Sequence, residues 1–165
     1  MRLGRRVRRG GPPGESGRRI LFPFIGSTVS QATLDATLRL AHSQNATLVP
    51  AYLVVVPHHL ALESPAPVRA SEEALPVLEL IDQRASRAGV PVDSRIERGR
   101  SHRHALATLI EHERYDTLVV PARTSTSDGF EPADVAWLLE NAPGEVLVLR
   151  TGEAVRAPHL SAEAT

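Results

Sequence analysis

The chain has no cysteine and no lysine, although it carries 19 arginines. Without thiols there can be no disulfide, no zinc–thiolate centre and no thiol catalysis. Without lysine there is no Gly-Lys-Ser/Thr phosphate loop. Aromatic residues make up only 4% of the 165 residues, so a core must draw on Leu, Val, Ile and Ala within the 42% hydrophobic fraction. Charge is not in excess either: 19 acidic residues balance the arginines, leaving a formal net charge of zero. That balance removes any global electrostatic reason to expect nucleic acid or an anionic membrane as the main partner. No apolar run approaches the roughly 20 residues needed to span a bilayer. The basic N-terminus is followed only by the short apolar stretch 20–25, too little for a secretory signal, so a cytoplasmic protein is expected.

What is present is a repeated strand–helix pattern. The runs Leu118-Val119-Val120 and Val146-Leu147-Val148-Leu149 are apolar without alternation, as strands buried on both faces tend to be. Between them Val135, Leu138, Leu139 and Ala142 recur at helical spacing behind Pro132, which suits a first helical position. Upstream, 19–25 reads as a strand, Gly26-Ser27-Thr28 as a turn, and 30–43 as a helix with Leu34, Leu38 and Ala41 on one face. Residues 47–56 form a second strand, with Pro50 suggesting an irregular start, and 58–70 a proline-rich connection. The spacing predicts a helix over 75–88, with Leu75, Leu78, Ile81 and Ala85 in register, Pro76 in its first turn and Gly89 as its stop. The run 90–98 alternates and so suits a sheet edge, and Ser101 caps a helix that ends near Glu113. Five strands alternating with four helices make a single doubly wound α/β domain over residues 19–151.

Two tails flank that domain. Residues 1–18 hold Arg2, Arg5, Arg6, Arg8, Arg9 and Arg18 among glycines and prolines. They read either as a basic arm for nucleic acid or acidic lipid, or as a solvated disordered leader or misplaced start. No aromatic residue interleaves the arginines to stack on bases, which favours the leader. Residues 152–165 are small and polar, and disorder is expected there.

Five pieces in order, RILFPFIGS, TLVPAYLVVV, SRIERGRS, TLVVPA and NAPGEVLVLR, resemble the universal stress protein family across residues 19–150. The resemblance implies a Rossmann-like parallel sheet ordered 3-2-1-4-5, with a ligand cleft between the first and fourth strands, the topological switch point. It also implies a role in the stress response and a homodimer in which Val146, Leu147, Val148 and Leu149 meet their twin antiparallel. The nucleotide-binding branch of the family carries Gly-x-x-Gly, nine residues, then Gly-Ser or Gly-Thr after the fourth strand. This chain departs from it. Pro121 and Thr124 fall at the first two glycines, and Ala133-Asp134 at the Gly-Ser position. Pro121 has no amide to donate. Asp134 puts a carboxylate where phosphate oxygens belong, with Glu131 and Asp128 nearby. Two like charges about 4 Å apart repel by roughly 4 kcal/mol at an effective dielectric of 20, so the loop opposes a triphosphate. The acidic residue that ends the first strand in that branch is Ile25 here.

The candidate site residues are therefore those of an anion site without a glycine loop. Arg98, Arg100, Ser101 and Arg103 open the helix after the third strand, where guanidinium groups and free amides could hold an anion. Arg123, Thr124 and the hydroxyls of Ser125, Thr126 and Ser127 follow the fourth strand, and Gly26 and Ser27 the first. Each group reads equally as ordinary turn composition. His102, His104 and His112 are not spaced to share one ion, so no metal is expected. Two functions stay open: a non-catalytic regulatory or binding module without the usual ATP motif, serving an unknown protein partner, and a nucleotide-binding protein with a phosphate site rebuilt around arginine. A nucleotide-activating enzyme would need a Ser-Gly-Gly-x-Asp-Ser loop or a His-x-Gly-His signature, and neither occurs.

Overall fold

The computed structural model describes residues 17–63 and 68–151. Nine elements alternate: β1 (Arg19–Phe24), α1 (Gln31–Ser43), β2 (Thr47–Val55), α2 (Val68–Arg87), β3 (Arg95–Gly99), α3 (His102–His112), β4 (Thr117–Pro121), α4 (Pro132–Asn141) and β5 (Glu145–Leu149). All strands run parallel in the order β3-β2-β1-β4-β5, as the resemblance to the universal stress protein family implies. The expected arm and tail lie outside the described residues, apart from Gly17 and Arg18.

Each central strand feeds two cores because successive side chains leave opposite faces of the sheet. Ile20, Phe22 and Phe24 of β1 join Leu34 and Leu38 of α1 and Ile81 of α2 on one face. Leu21 joins Leu106 and Leu109 of α3, Leu118 and Val120 of β4 and Leu138 of α4 on the other. Unbroken apolar strands are the direct consequence of this two-sided burial.

Four local expectations are corrected. α2 begins about two turns earlier than its apolar spacing suggests, so Pro76 lies inside the helix rather than in its first turn. The proline forfeits a bond to the carbonyl of Glu72, but both residues face solvent, where water can satisfy that oxygen. Leu75 faces outward, 55% exposed, one position out of phase with the buried stripe of Ala74, Val77, Ile81 and Ala85. On α4 only Leu138 is buried, and Leu139 is 57% exposed. Pro50 does not disturb the start of β2, which pairs with β1 from Thr47 onward. It interrupts the other edge instead: after Leu48 bridges Val92, pairing with β3 resumes only at Ala51 and Arg95. The next donor on that edge would be residue 50, and proline has none. β3 is accordingly shorter than the alternating run from Val90 implies.

At the strands' N-terminal ends, Arg19 and Arg95 share acids from two loops. Arg95 binds Asp93 and, at 2.6 Å, Glu113; Arg19 lies 3.3 Å from Asp93 and donates its backbone N–H to Asp116 at 2.8 Å. This network ties β1, β3, α3 and the start of β4 together at the end of the sheet opposite the cleft.

Candidate functional site

At the C-terminal ends of the strands a cleft of about 700 Å³ opens where the strand order reverses. Its floor comes from Ile25 and Gly26 after β1 and from Tyr52 to Val55 of β2. One wall is the α3 N-terminus, and another is the segment from Arg123 to Asp134 between β4 and α4.

The turn after β1 is shaped by its neighbour across the cleft. Gly26 has φ +75°, and a Cβ there would overlap the Asp128 carboxylate. Asp128 Oδ2 accepts from the Thr28 hydroxyl at 2.8 Å and the Thr28 N–H at 3.2 Å, while its own N–H donates to Thr28 Oγ1 at 3.3 Å. Ser27 stays exposed beside this contact and does not line the cleft. Ser30 caps α1 and meets the Thr151 hydroxyl at 2.7 Å.

The loop after β4 spends its own donors. Phe130 closes it through both backbone groups: Arg123 N–H donates to the Phe130 carbonyl at 3.0 Å, and Phe130 N–H to the Pro121 carbonyl at 2.9 Å. Thr124 N–H donates to the Ser127 carbonyl at 3.3 Å, and Thr124 Oγ1 accepts from the amides of Thr126 and Ser127 at 3.3 and 3.1 Å. The Thr124 and Ser127 hydroxyls bind each other at 2.7 Å. Gly129 lets the loop fold this tightly, since a Cβ would overlap the Ala122–Arg123 peptide. A phosphate cradle needs a concavity of free amides; here the amides of Arg123, Thr124, Thr126, Ser127 and Phe130 are taken up by other loop atoms, and that of Asp128 by Thr28.

The arginines singled out by the sequence are brought to this end of the sheet, but into different roles. Arg103 Nε donates to Asp134 at 3.0 Å, and its guanidinium lies 5.8 Å from the centre of the Trp137 ring. Arg123 pairs with Glu131 at 2.9 Å. Arg100 turns away and donates to the carbonyls of Pro57 and Leu60 at 2.7 and 2.8 Å, gathering the loop after β2. Arg98 does not line the cleft, and its Nε is buried without a partner among the described residues. Ser101 Oγ caps α3 by accepting from His104 N–H at 3.1 Å, and the His104 ring accepts from Arg100 N–H at 2.9 Å. His112 bonds the Thr108 carbonyl one turn back. Gly99 allows α3 to approach β3, because a Cβ would overlap the Ala105 amide. The β2 contribution, above all Tyr52, is absent from the sequence-based site because an aromatic residue inside an apolar strand reads as core.

The family model for the universal stress protein family matches residues 17–150. The chain belongs to the universal stress protein family. Among solved structures it is similar to a protein of that family from Burkholderia pseudomallei, with 25% identity over 84% of this chain and 100% of that one and a TM-score of 0.61. A universal stress protein in complex with cAMP shows 22% identity over 82% of this chain and 98% of that one, with a TM-score of 0.56. A family protein from Arabidopsis thaliana with AMP bound shows 14% identity over 82% and 93%, with a TM-score of 0.57. No curated protein matches the sequence. Among the described residues no helix is long and apolar enough to cross a membrane.

Proposed function

We propose that this universal stress protein is a non-catalytic, cytoplasmic binding or regulatory module of the stress response whose cleft does not take ATP in the manner of the nucleotide-binding branch. The observation that carries the reading is the loop after β4. The amides of Arg123, Thr124, Thr126, Ser127 and Phe130 are satisfied within it, and its arginine is paired with Glu131. An incoming triphosphate would have to break those bonds and displace Asp128 and Asp134, both of which line the cleft. The rebuilt arginine site is disfavoured on the same ground: Arg103 and Arg123 each already hold a carboxylate, and Arg100 holds carbonyl oxygens.

Calorimetric titration with Mg-ATP tests this. No saturable heat is expected up to millimolar ligand, and a fitted micromolar affinity would overturn the reading. We further propose a homodimer through β5, an edge strand whose outer backbone groups have no neighbour in the sheet.

A further inference from the structure

Four carboxylates line the cleft, those of Glu73, Asp128, Glu131 and Asp134, against two guanidinium groups, Arg103 and Arg123. Both guanidiniums are already bound to Asp134 and Glu131 on the same wall. Glu73 and Asp128 are left uncompensated inside it. Asp128 accepts only from Thr28. Glu73 meets Arg69 at 3.3 Å, but that arginine side chain is 89% exposed, and such surface pairs hold little energy.

A second observation is a phenol on which both acids act. Tyr52 is 4% exposed and lines the cleft, with its ring 5.3 Å from that of Phe24. Its hydroxyl has no hydrogen-bond partner among the described residues, and the residue lines the cleft. Burial first, then the charges of Glu73 and Asp128, hold the phenol above its ordinary value, so both carboxylates act on that oxygen. A buried phenol usually finds a partner; here the open side of the cleft is where one can come from.

The chemistry of the walls selects among cations. Among the described residues no three His, Asp or Glu side chains are placed to share a metal ion. The remaining floor is apolar, from Ile25 and Leu53 to Val55. Carboxylates beside a phenol oxygen over an aliphatic floor suit an alkyl-ammonium or guanidinium compound, and the volume falls in the range of small-molecule pockets, about 300–1,000 Å³.

We propose that the cleft binds a small organic cation, an amine or guanidine, with its charge between Glu73 and Asp128 and an N–H donated to the Tyr52 hydroxyl. The inference rests on the reading that the cleft does not accept nucleotide. Agmatine, which carries both an amine and a guanidine, is the test ligand, titrated calorimetrically at low salt into the full chain, with Mg-ATP and magnesium chloride titrated separately. Saturable agmatine binding is expected, weakened about tenfold by Glu73→Gln, which removes one charge from a helix surface. Tyr52→Phe keeps the ring and should weaken binding severalfold. Unchanged affinity in either folded variant would overturn the placement. Absence of agmatine binding together with absence of ATP binding would sink the cation proposal and leave standing the reading that the cleft takes no nucleotide. Saturable ATP binding would remove both. Competition by magnesium ions at equal concentration would mean an inorganic cation site and overturn the organic assignment.

Discussion

The Thr28 hydroxyl donates to Asp128 Oδ2 at 2.8 Å, joining the turn after β1 to the loop after β4 across the mouth of the cleft. The contact is close because Gly26 has no side chain: its Cβ would occupy the carboxylate's position. Two separable costs follow for Gly26→Ala. Holding alanine at φ +75° costs about 1 kcal/mol, and displacing Asp128 adds the loss of its bonds to Thr28, about 1 kcal/mol more. In an Asp128→Ala background only the backbone cost should remain. A double-mutant cycle from urea unfolding should therefore show strong non-additivity. Strict additivity would mean that Gly26 and Asp128 are not in contact in solution.

The two arginines at the start of α3, Arg100 before its cap and Arg103 in its first turn, should differ sharply in structural weight. Arg100→Ala removes a charged donor from two loop carbonyls and should lower stability by about 1–3 kcal/mol. Arg103→Ala loses a partly exposed ion pair and a cation–π contact, together about 1 kcal/mol or less. Urea midpoints rank them. A larger loss for Arg103 would place the anchoring role at the cleft rather than at the loop after β2.

The alternating strands and helices and the Ser101 cap were legible in the sequence from local patterns, unbroken apolar runs and a hydroxyl before an apolar helix, whereas strand order and the switch-point cleft followed from the family resemblance. The start of α2 was not, since Pro76 reads as punctuation and only its position on the solvent side makes an internal proline tolerable. The site was half legible. The acidic character of the 128–134 segment follows from composition, but which acid each arginine meets depends on contacts such as Arg103 to Asp134, 31 residues apart. Tyr52 was hidden because an aromatic residue in a strand gives no sign of whether its hydroxyl ends in core or cleft.

Two carboxylates on the β3 side should respond to pH with opposite signs. Burial alone would push the Asp93 carboxyl up, but hydrogen bonds and charges from Arg95 and then Arg19 outweigh it and hold it below its ordinary 3.8. Its contribution is present above that value and is lost as pH falls through the lower folded value. Asp93→Asn should thus destabilise at pH 7 and matter little in strong acid. Glu97 is held above its ordinary 4.5, chiefly by burial, so its ionised form costs stability at neutral pH. Glu97→Gln should raise the melting temperature at pH 7 and lose that advantage below about pH 4.5. Parallel pH profiles for the two variants would contradict the assignments.

The β5 edge allows a test of the dimer that leaves the monomer's own pairing intact. Glu145 N–H donates to the Asp116 carbonyl of the neighbouring chain segment, and the Leu149 carbonyl accepts from Ala122 N–H. With the parallel register from Thr117–Glu145 to Pro121–Leu149, residues 145, 147 and 149 turn their backbone groups toward β4. Val146 and Val148 therefore point theirs outward, at the free edge. Side chains follow a different rule: Leu147 and Leu149 pack against the α1 face of the core, whereas Val148 is 38% exposed. Substituting the two leucines would disturb the protomer's own packing as well as any interface. Val148→Pro instead removes only an outward donor, so it should convert a dimer to a folded monomer in sedimentation velocity. Leu147→Pro, which breaks a bond to β4 and leaves its carbonyl partner unpaired, should cost about 1–3 kcal/mol of stability. A Val148→Pro protein that stays dimeric, or a wild-type chain that remains monomeric at high micromolar concentration, would remove β5 as the dimer interface.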